Sequence, residues 1–297
     1  MTNLCNVDGR IVPEAEATVS VMDRGFLFGD SVYEVIRTRA GIPFAWPEHL
    51  ARLHRSAAGL MLELDLSDGA LTRRLVDTLA AAGNRDSYVR VIVTRGRGTA
   101  PNIDVSYATG PNTCVILVRE LPPRRSGPSH LAIVPRQRLP GHALDPSIKS
   151  GSYVHNVMGL AEARSRGATD CLFVNTDGRL SEASTANLWI ISGDTVVTPP
   201  LSAGLLAGVT RGLVLEMCSR EGIPCVERDL FESDVRGADA VFLTATLRDI
   251  APVDILDGAP VRHSALLAEL QAKFTAFCDA RAEQVYRPAI DALVASP

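Results

Sequence analysis

The chain has 297 residues, 46% of them hydrophobic and 22% charged, and a formal net charge of −4. That is the composition of an ordinary globular protein with room for two domains. It excludes a nucleic-acid footprint, since the arginines are scattered rather than striped, and no run approaches the roughly 20 apolar residues that span a bilayer. The first ten residues show no basic start followed by an apolar run, so no secretory signal is expected. Six dispersed cysteines without a C-x-x-C pair read as reduced thiols of a cytoplasmic protein, not as a disulfide framework or a metal site.

Taken in order, Cys5 to Val12 reads as a hairpin closed by Asp8-Gly9, a strong turn signal. Ala17 to Met22 alternates like a strand, and Asp23 to Asp30 reads as a glycine-bracketed loop. A strand is expected over Ser31 to Arg39, turning at Ala40-Gly41. Pro47 suits a helix start, and Leu50, Leu53, Ala57 and Leu60 then recur at helical spacing, with His49 and Arg52 off that stripe. A second helix spans about Ser67 to Ala82, and strands are expected at Ser87 to Thr94 and Asn112 to Arg119. Glu120 to Ser129 holds three prolines and a glycine, which marks a domain boundary. The division expected is therefore a small N-terminal α/β domain over 1–120, a linker over 121–130 and a larger domain over 131–297.

Beyond the linker, a short strand at Leu131 to Pro135 and a loop over Arg136 to Ser147 lead to Lys149. Val154 to Arg166 reads as a helix stopped by Gly167. Two hairpins follow, Cys171 to Ala183 and Asn187 to Thr198. A helix begins after Gly208 and is closed by Gly222. Strands are expected at Cys225 to Arg228, Ala240 to Thr244 and Ile250 to Val253, then one long amphipathic helix from Ser264 to Tyr286 with Lys273 on a solvated face.

Only two of the 30 basic residues, Lys149 and Lys273, are lysines. Arginine replaces lysine as a surface charge but not as a nucleophilic amine, because guanidinium stays protonated. Lys149 sits in Pro146-Ser-Ile-Lys-Ser-Gly-Ser-Tyr153, and within sixty residues come Glu182 and a helix start at Gly208-Val-Thr-Arg211. A helix start is a natural phosphate seat. An amine, a carboxylate and a phosphate seat are the three handles of pyridoxal phosphate.

The run Lys149-Ser-Gly-Ser-Tyr153, Asn175-Thr-Asp-Gly178, Ser181-Glu182, Asn187-Leu, Thr198-Pro-Pro and Leu206-Ala-Gly-Val-Thr-Arg211 resembles the class IV, or fold-type IV, pyridoxal-phosphate aminotransferases. So do Asp23-Arg-Gly-Phe-Leu-Phe-Gly-Asp-Ser-Val-Tyr-Glu-Val-Ile-Arg37 and Glu48-His-Leu-Ala-Arg-Leu-His-Arg-Ser-Ala57. That family contains branched-chain aminotransferases, D-amino-acid aminotransferases and aminodeoxychorismate lyase. The resemblance implies a two-domain α/β (α+β) fold with a pseudo-barrel C-terminal domain, a homodimer, and transfer of an amino group between an amino acid and a 2-oxo acid.

Carried over residue by residue, Lys149 matches the Schiff-base lysine and Glu182 the partner of the pyridine nitrogen. Arg52 matches the phosphate-binding arginine, its other reading being a solvated helix face. Val209, Thr210 and Thr246 match phosphate contacts, and Tyr153 a tyrosine near the cofactor's phenolic oxygen. Tyr33, Arg90, Leu247 and Arg248 are candidates for contact with substrate. Tyr153, Arg90 and the lack of an Arg-x-His motif in the loop Gly96 to Asp104 resemble the branched-chain branch. Val32 to Arg37 resembles D-amino-acid members instead. Glu34-Val35 disfavours the lyase, whereas Leu247-Arg248, standing where branched-chain enzymes carry small residues, resembles it. Arg248 is either a carboxylate clamp or a solvent-facing residue. A cofactor-free binding protein of the same fold is the remaining alternative.

Overall fold

The computed structural model describes residues 3–123 and 127–296. The chain forms two compact units: Met1–Pro123 with Ile148–Ser152 and Asp279–Pro297, and Arg124–Ser147 with Tyr153–Cys278. Unlike a single cut at a linker, this division returns two later segments, one carrying Lys149, to the first unit. Residues 124–126 of the expected linker lie outside the described residues.

The first unit holds β1 (Leu4–Val7), β2 (Arg10–Pro13), α1 (Arg24–Phe28), β3 (Ser31–Arg39), β4 (Ile42–Pro43), α2 (Trp46–Gly59), α3 (Asp68–Ala82), β5 (Ser87–Thr94) and β6 (Cys114–Glu120). Its strands form an antiparallel sheet in the order β2-β1-β6-β5-β3-β4. Asp8 and Gly9 both take positive φ, 52° and 94°, which closes a two-residue hairpin with the twist of its strands. Ser67 caps α3 by accepting from the Ala70 N–H, and left-handed Gly83 ends it. Val32, Ile36, Trp46, Leu53, Leu75, Val89 and Ile116 are fully buried in this core.

Two expectations fail here. Ala17 to Met22 is not a strand: Val19 and Val21 are exposed, so alternation without a partner made no ladder. The glycine-bracketed loop contains a turn of helix, α1, because Asp23 accepts from the Gly25 N–H and left-handed Gly29 closes it.

The second unit holds β7 (His130–Gln137), α4 (Val154–Ser165), β8 (Asp170–Val174), β9 (Leu180–Ala183), β10 (Asn187–Ser192), β11 (Thr195–Thr198), α5 (Val209–Glu221), β12 (Cys225–Glu227), α6 (Glu232–Gly237), β13 (Ala240–Ala245), β14 (Asp249–Pro252), β15 (Ile255–Leu256), β16 (Ala259–Pro260) and most of α7 (Ala265–Arg281). Its ten strands follow the path β12-β11-β10-β9-β8-β7-β15-β16, with β13 added to β10 and β14 to β13. Pairing is mixed: β7 runs parallel to both β8 and β15, and β11 runs parallel to β12. Trp189 stacks on Phe242 at 5.6 Å within the core.

The long C-terminal helix is broken. Helix α7 ends at Arg281, a π-helical turn spans Ala282–Tyr286, and a further helix runs over Arg287–Ala295. The wider turn re-aims the helix face. Tyr286 is thereby buried edge-on against Phe44, its hydroxyl donating to Glu48 Oε1 at 2.9 Å. Lys273 pairs with Glu221 at 2.6 Å on the outside of the second unit.

Candidate active site

In the first unit, strand β3 and helix α2 present the chemistry. The segment Ile148–Ser152 lies along β3: Tyr33 N–H donates to the Lys149 carbonyl at 3.0 Å, and Gly151 N–H donates to Ser31 O at 2.8 Å. The Lys149 N–H donates to Ser56 Oγ of α2 at 3.1 Å. Gly151 is required there, since a Cβ would collide with Ser31 Oγ. The backbone of Lys149 is therefore held on both sides, and its amine is delivered to Tyr33: Nζ lies 3.4 Å from the hydroxyl and 4.4 Å from the ring centroid. The Arg90 guanidinium, one strand over on β5, lies 4.0 Å from the same ring centroid. Three of the residues singled out in the sequence thus come together around one phenol.

Arg52 is not on a solvated face; it is 4% exposed. Its Nε donates to Glu34 Oε1 at 2.8 Å and its Nη2 to Glu34 Oε2 at 2.6 Å, the two-toothed pairing that a guanidinium makes with a carboxylate. His49, also off the apolar stripe, puts Nδ1 2.7 Å from Glu34 Oε2. Burial alone would raise the Glu34 carboxyl, but the Arg52 guanidinium and then His49 hold it down at about 2. Burial pushes His49 below the usual imidazole range, so Arg52 and Glu34 are the charged pair of the cluster and His49 its neutral member near pH 7. Sequence reasoning missed Glu34 and His49, although a carboxylate inside Val32-Tyr-Glu-Val-Ile is a signal: a charge in a buried strand needs a partner.

In the second unit, Glu182 on β9 is 5% exposed and held at both oxygens. Oε1 accepts from Arg138 Nη2 at 2.6 Å, and Oε2 accepts from Asn187 Nδ2 and from the Leu206 N–H, each at 3.2 Å. Asn187 also donates to Leu206 O at 2.9 Å. A Cβ on Gly208 would strike Asn187 Oδ1, so the glycine before α5 is demanded by the group that braces Glu182. Gly208 is the N-cap of α5 and has no side chain to cap it with, so the first-turn amides around Val209 and Thr210 receive no side-chain cap. Arg138 was read only as loop, and nothing local in the sequence distinguishes it.

Tyr153 is the N-cap residue of α4 and belongs to the second unit, four positions after a lysine of the first. Thr246, Leu247 and Arg248 form the turn between β13 and β14, with Thr246 and Leu247 half-buried. Arg248 is partly exposed, but its Nη1 pairs with buried Asp170 at 2.8 Å, so it is neither a free clamp nor simply solvent-facing. Asp170 is itself engaged, accepting from the Ser184 N–H and hydroxyl.

A sequence model described as amino-transferase class IV matches residues 31–256. The chain belongs to the class IV aminotransferase family. A protein of Methanocaldococcus jannaschii provisionally named a branched-chain-amino-acid aminotransferase is 33% identical over 86% of the chain and 89% of its own length. The D-alanine aminotransferase of Listeria innocua is 32% identical over 86% and 88%. Among solved structures, the branched-chain aminotransferase of Thermoproteus uzoniensis with norvaline superposes with a TM-score of 0.88 at 25% identity, covering 97% of this chain and 98% of that one. A hypothetical aminotransferase of Mycobacterium tuberculosis in its pyridoxal-phosphate-bound form, at 24% identity, shares the fold with a TM-score of 0.81, over 94% of this chain and 99% of that one.

This class IV aminotransferase is thus an enzyme of the fold-type IV architecture, and its family uses pyridoxal phosphate. The donor set fits that group: a primary amine at Lys149, a braced carboxylate at Glu182 and an uncapped helix start at Gly208. Among the described residues no cluster of His, Cys, Asp and Glu is suited to a metal ion, and no helix is long and apolar enough to cross a membrane.

Proposed function

We propose that this class IV aminotransferase moves the amino group of L-branched-chain amino acids to a 2-oxo acid such as 2-oxoglutarate, and works as a cytoplasmic homodimer. The observation that carries the branch assignment is the Arg90–Tyr33–Lys149 arrangement, in which the branch-typical arginine lies over the phenol that meets the lysine amine. The loop at 96–104 adds no competing trap: Arg24 donates to the backbone carbonyls of Asn102, Ile103 and Asp104, and no histidine occurs there.

Bound pyridoxal phosphate supplies an aldehyde that takes up the amino group and a ring that accepts the electron pair left at the α-carbon. Lys149 would hold the aldehyde covalently and, once replaced by the donor amine, take the α-proton as general base and return it as general acid. Tyr33 orients that amine through its hydroxyl. Glu182 would face the ring nitrogen. Arg52, Thr246 and the amides of Val209 and Thr210 would hold the phosphate, and Tyr153 the phenolic oxygen. Leu247 and the turn it sits in would border the substrate.

The second reading, transfer from D-amino acids, is favoured by the D-alanine aminotransferases of Listeria innocua and Bacillus licheniformis, which match the chain at 32% and 29% identity. A panel of half-reactions on the purified holoenzyme decides. L-Leucine, L-valine and L-isoleucine should discharge the cofactor's absorbance faster than D-alanine. One methylene in an apolar pocket is worth about 1–3 kcal/mol, so all three should react, at rates within about two hundredfold of one another. Faster reaction of the D-enantiomers overturns the branch assignment. Pyruvate release from aminodeoxychorismate without amino transfer would assign a lyase instead.

A further inference from the structure

Arg138 is an unassigned hub of the second unit. It lies one residue past β7, is 9% exposed, and reaches three other segments. Its Nη2 donates to Glu182 Oε1 at 2.6 Å, its Nη1 to Asn156 Oδ1 of α4 at 3.4 Å, and its Nε to the carbonyl of Gly204 at 3.1 Å. The Phe173 ring lies 5.8 Å from the guanidinium carbon, shielding one side. Asn156 is fixed in turn by donating to Ser184 O at 2.8 Å. The guanidinium is therefore anchored by two neutral acceptors and spends its charge on one carboxylate oxygen.

A buried arginine against a buried carboxylate favours the ionised carboxylate over the acid. That matters when the carboxylate faces a base with which it shares one proton. Without a cation behind it, a desolvated carboxylate competes well for that proton and leaves the partner neutral. With the cation in place the proton moves to the partner, and the pair becomes carboxylate and pyridinium. Asn187 Nδ2 and the Leu206 N–H, both on Oε2, also donate to the carboxylate, but they are neutral and carry less of the effect.

We infer that Arg138 is a positioning residue that biases the proton shared by Glu182 and the cofactor's ring nitrogen onto the nitrogen. The inference rests on the proposed pairing of Glu182 with that nitrogen. A protonated ring draws electrons from the α-carbon, so Arg138 acts on the reaction through Glu182 without touching substrate.

The test uses holoenzyme carrying pyridoxal phosphate labelled with ¹⁵N in its ring, since the nitrogen resonance distinguishes pyridinium from pyridine. Wild type should show pyridinium at pH 8. Arg138→Gln, which keeps hydrogen bonding but removes the charge, should shift the resonance toward neutral pyridine. Its kcat should fall about tenfold to a hundredfold, the fold-change matching one charge-assisted hydrogen bond, with KM for the 2-oxo acid little changed. Arg138→Lys should restore pyridinium. A purely structural role predicts lower thermal stability with the pyridinium signal intact in Arg138→Gln, and that result overturns the inference. If Arg138→Gln yields no folded protein, Arg138→Lys carries the test, and neutral pyridine in that charge-conserving variant overturns it equally. Neutral pyridine in wild type, or no change in the resonance on Glu182→Gln, sinks the pairing of Glu182 itself and not only the role of Arg138.

Discussion

Replacing Arg52 by methionine should do more damage than its place off the apolar stripe of α2 suggests, and a second mutation should undo part of it. In the first unit Glu34 has no solvent contact and receives two bonds from Arg52, at 2.8 and 2.6 Å. Its other partner, His49, is neutral near pH 7 because burial lowers it. Arg52→Met therefore strands a buried carboxylate with one neutral donor. Deleting one member of a buried ion pair costs about 3–5 kcal/mol, most of it the uncompensated charge left behind. Adding Glu34→Gln removes that charge, so Arg52→Met/Glu34→Gln should be more stable than Arg52→Met alone by about 2 kcal/mol, on the scale of an unsatisfied buried group. The assay is urea unfolding of the cofactor-free protein, which keeps ligand binding out of the equilibrium. Trp46, buried in the same unit, is the reporter, in a Trp189→Phe background. Additive losses in the double variant would show that Glu34 is not charged in the folded state, and the account of the cluster would fall.

The same carboxylate sets an acid limit. Its folded value of about 2 lies below the ordinary 4.5, so its stabilisation is complete above 4.5 and is lost as pH falls toward 2. Between pH 5 and 3 the first unit should lose about 2 kcal/mol from Glu34 alone; a flat stability profile there refutes it. In the second unit, Gly159→Ala would drive a methyl into the Phe173 ring, lowering stability by about 1–3 kcal/mol as overpacking does; an unchanged melting temperature counts against the packing described. Borohydride should fix the cofactor to the peptide carrying Lys149, and label on Lys273, which is paired with Glu221, would remove Lys149 from the reaction. Arg248→Ala should leave L-leucine turnover within about threefold, as for loss of one partly exposed ion pair; a larger fall would restore Arg248 as a carboxylate clamp.

Much of the fold was legible because local signals agreed with burial. Strand β3, helix α3 with its Ser67 cap and Gly83 stop, and helix α5 between Gly208 and Gly222 stand where propensity, periodicity and caps coincide. Where only one signal was present the reading failed. Alternation alone suggested a strand at Ala17 to Met22, and two glycines alone hid α1. The break at Ala282–Tyr286 was illegible because a π turn keeps helical composition while changing which face packs. For the site, Lys149 and Glu182 stood out through chemistry and motif. Arg138 did not, because its role exists only through Glu182, 44 positions away and brought near by the order of β7, β8 and β9.

The first unit is assembled from three stretches of chain, and this governs when it can exist. Lys149 arrives with residues 148–152, and the last braces of the unit arrive later still: Arg39 to Asp279 at 2.9 Å, Glu48 to Tyr286, and Arg73 to the carbonyl of Val294 at 2.8 Å. These contacts join residues more than 200 positions apart. Such separations slow folding, because loop closure must precede any gain from contact. The unit is therefore incomplete until the helix over Arg287–Ala295 is available, and a nascent chain stopped before residue 279 should expose Glu48 and the end of β3 to chaperones or proteases. The amine at Lys149 and the braces that complete its unit therefore reach their places only after residues 279–294 have been made.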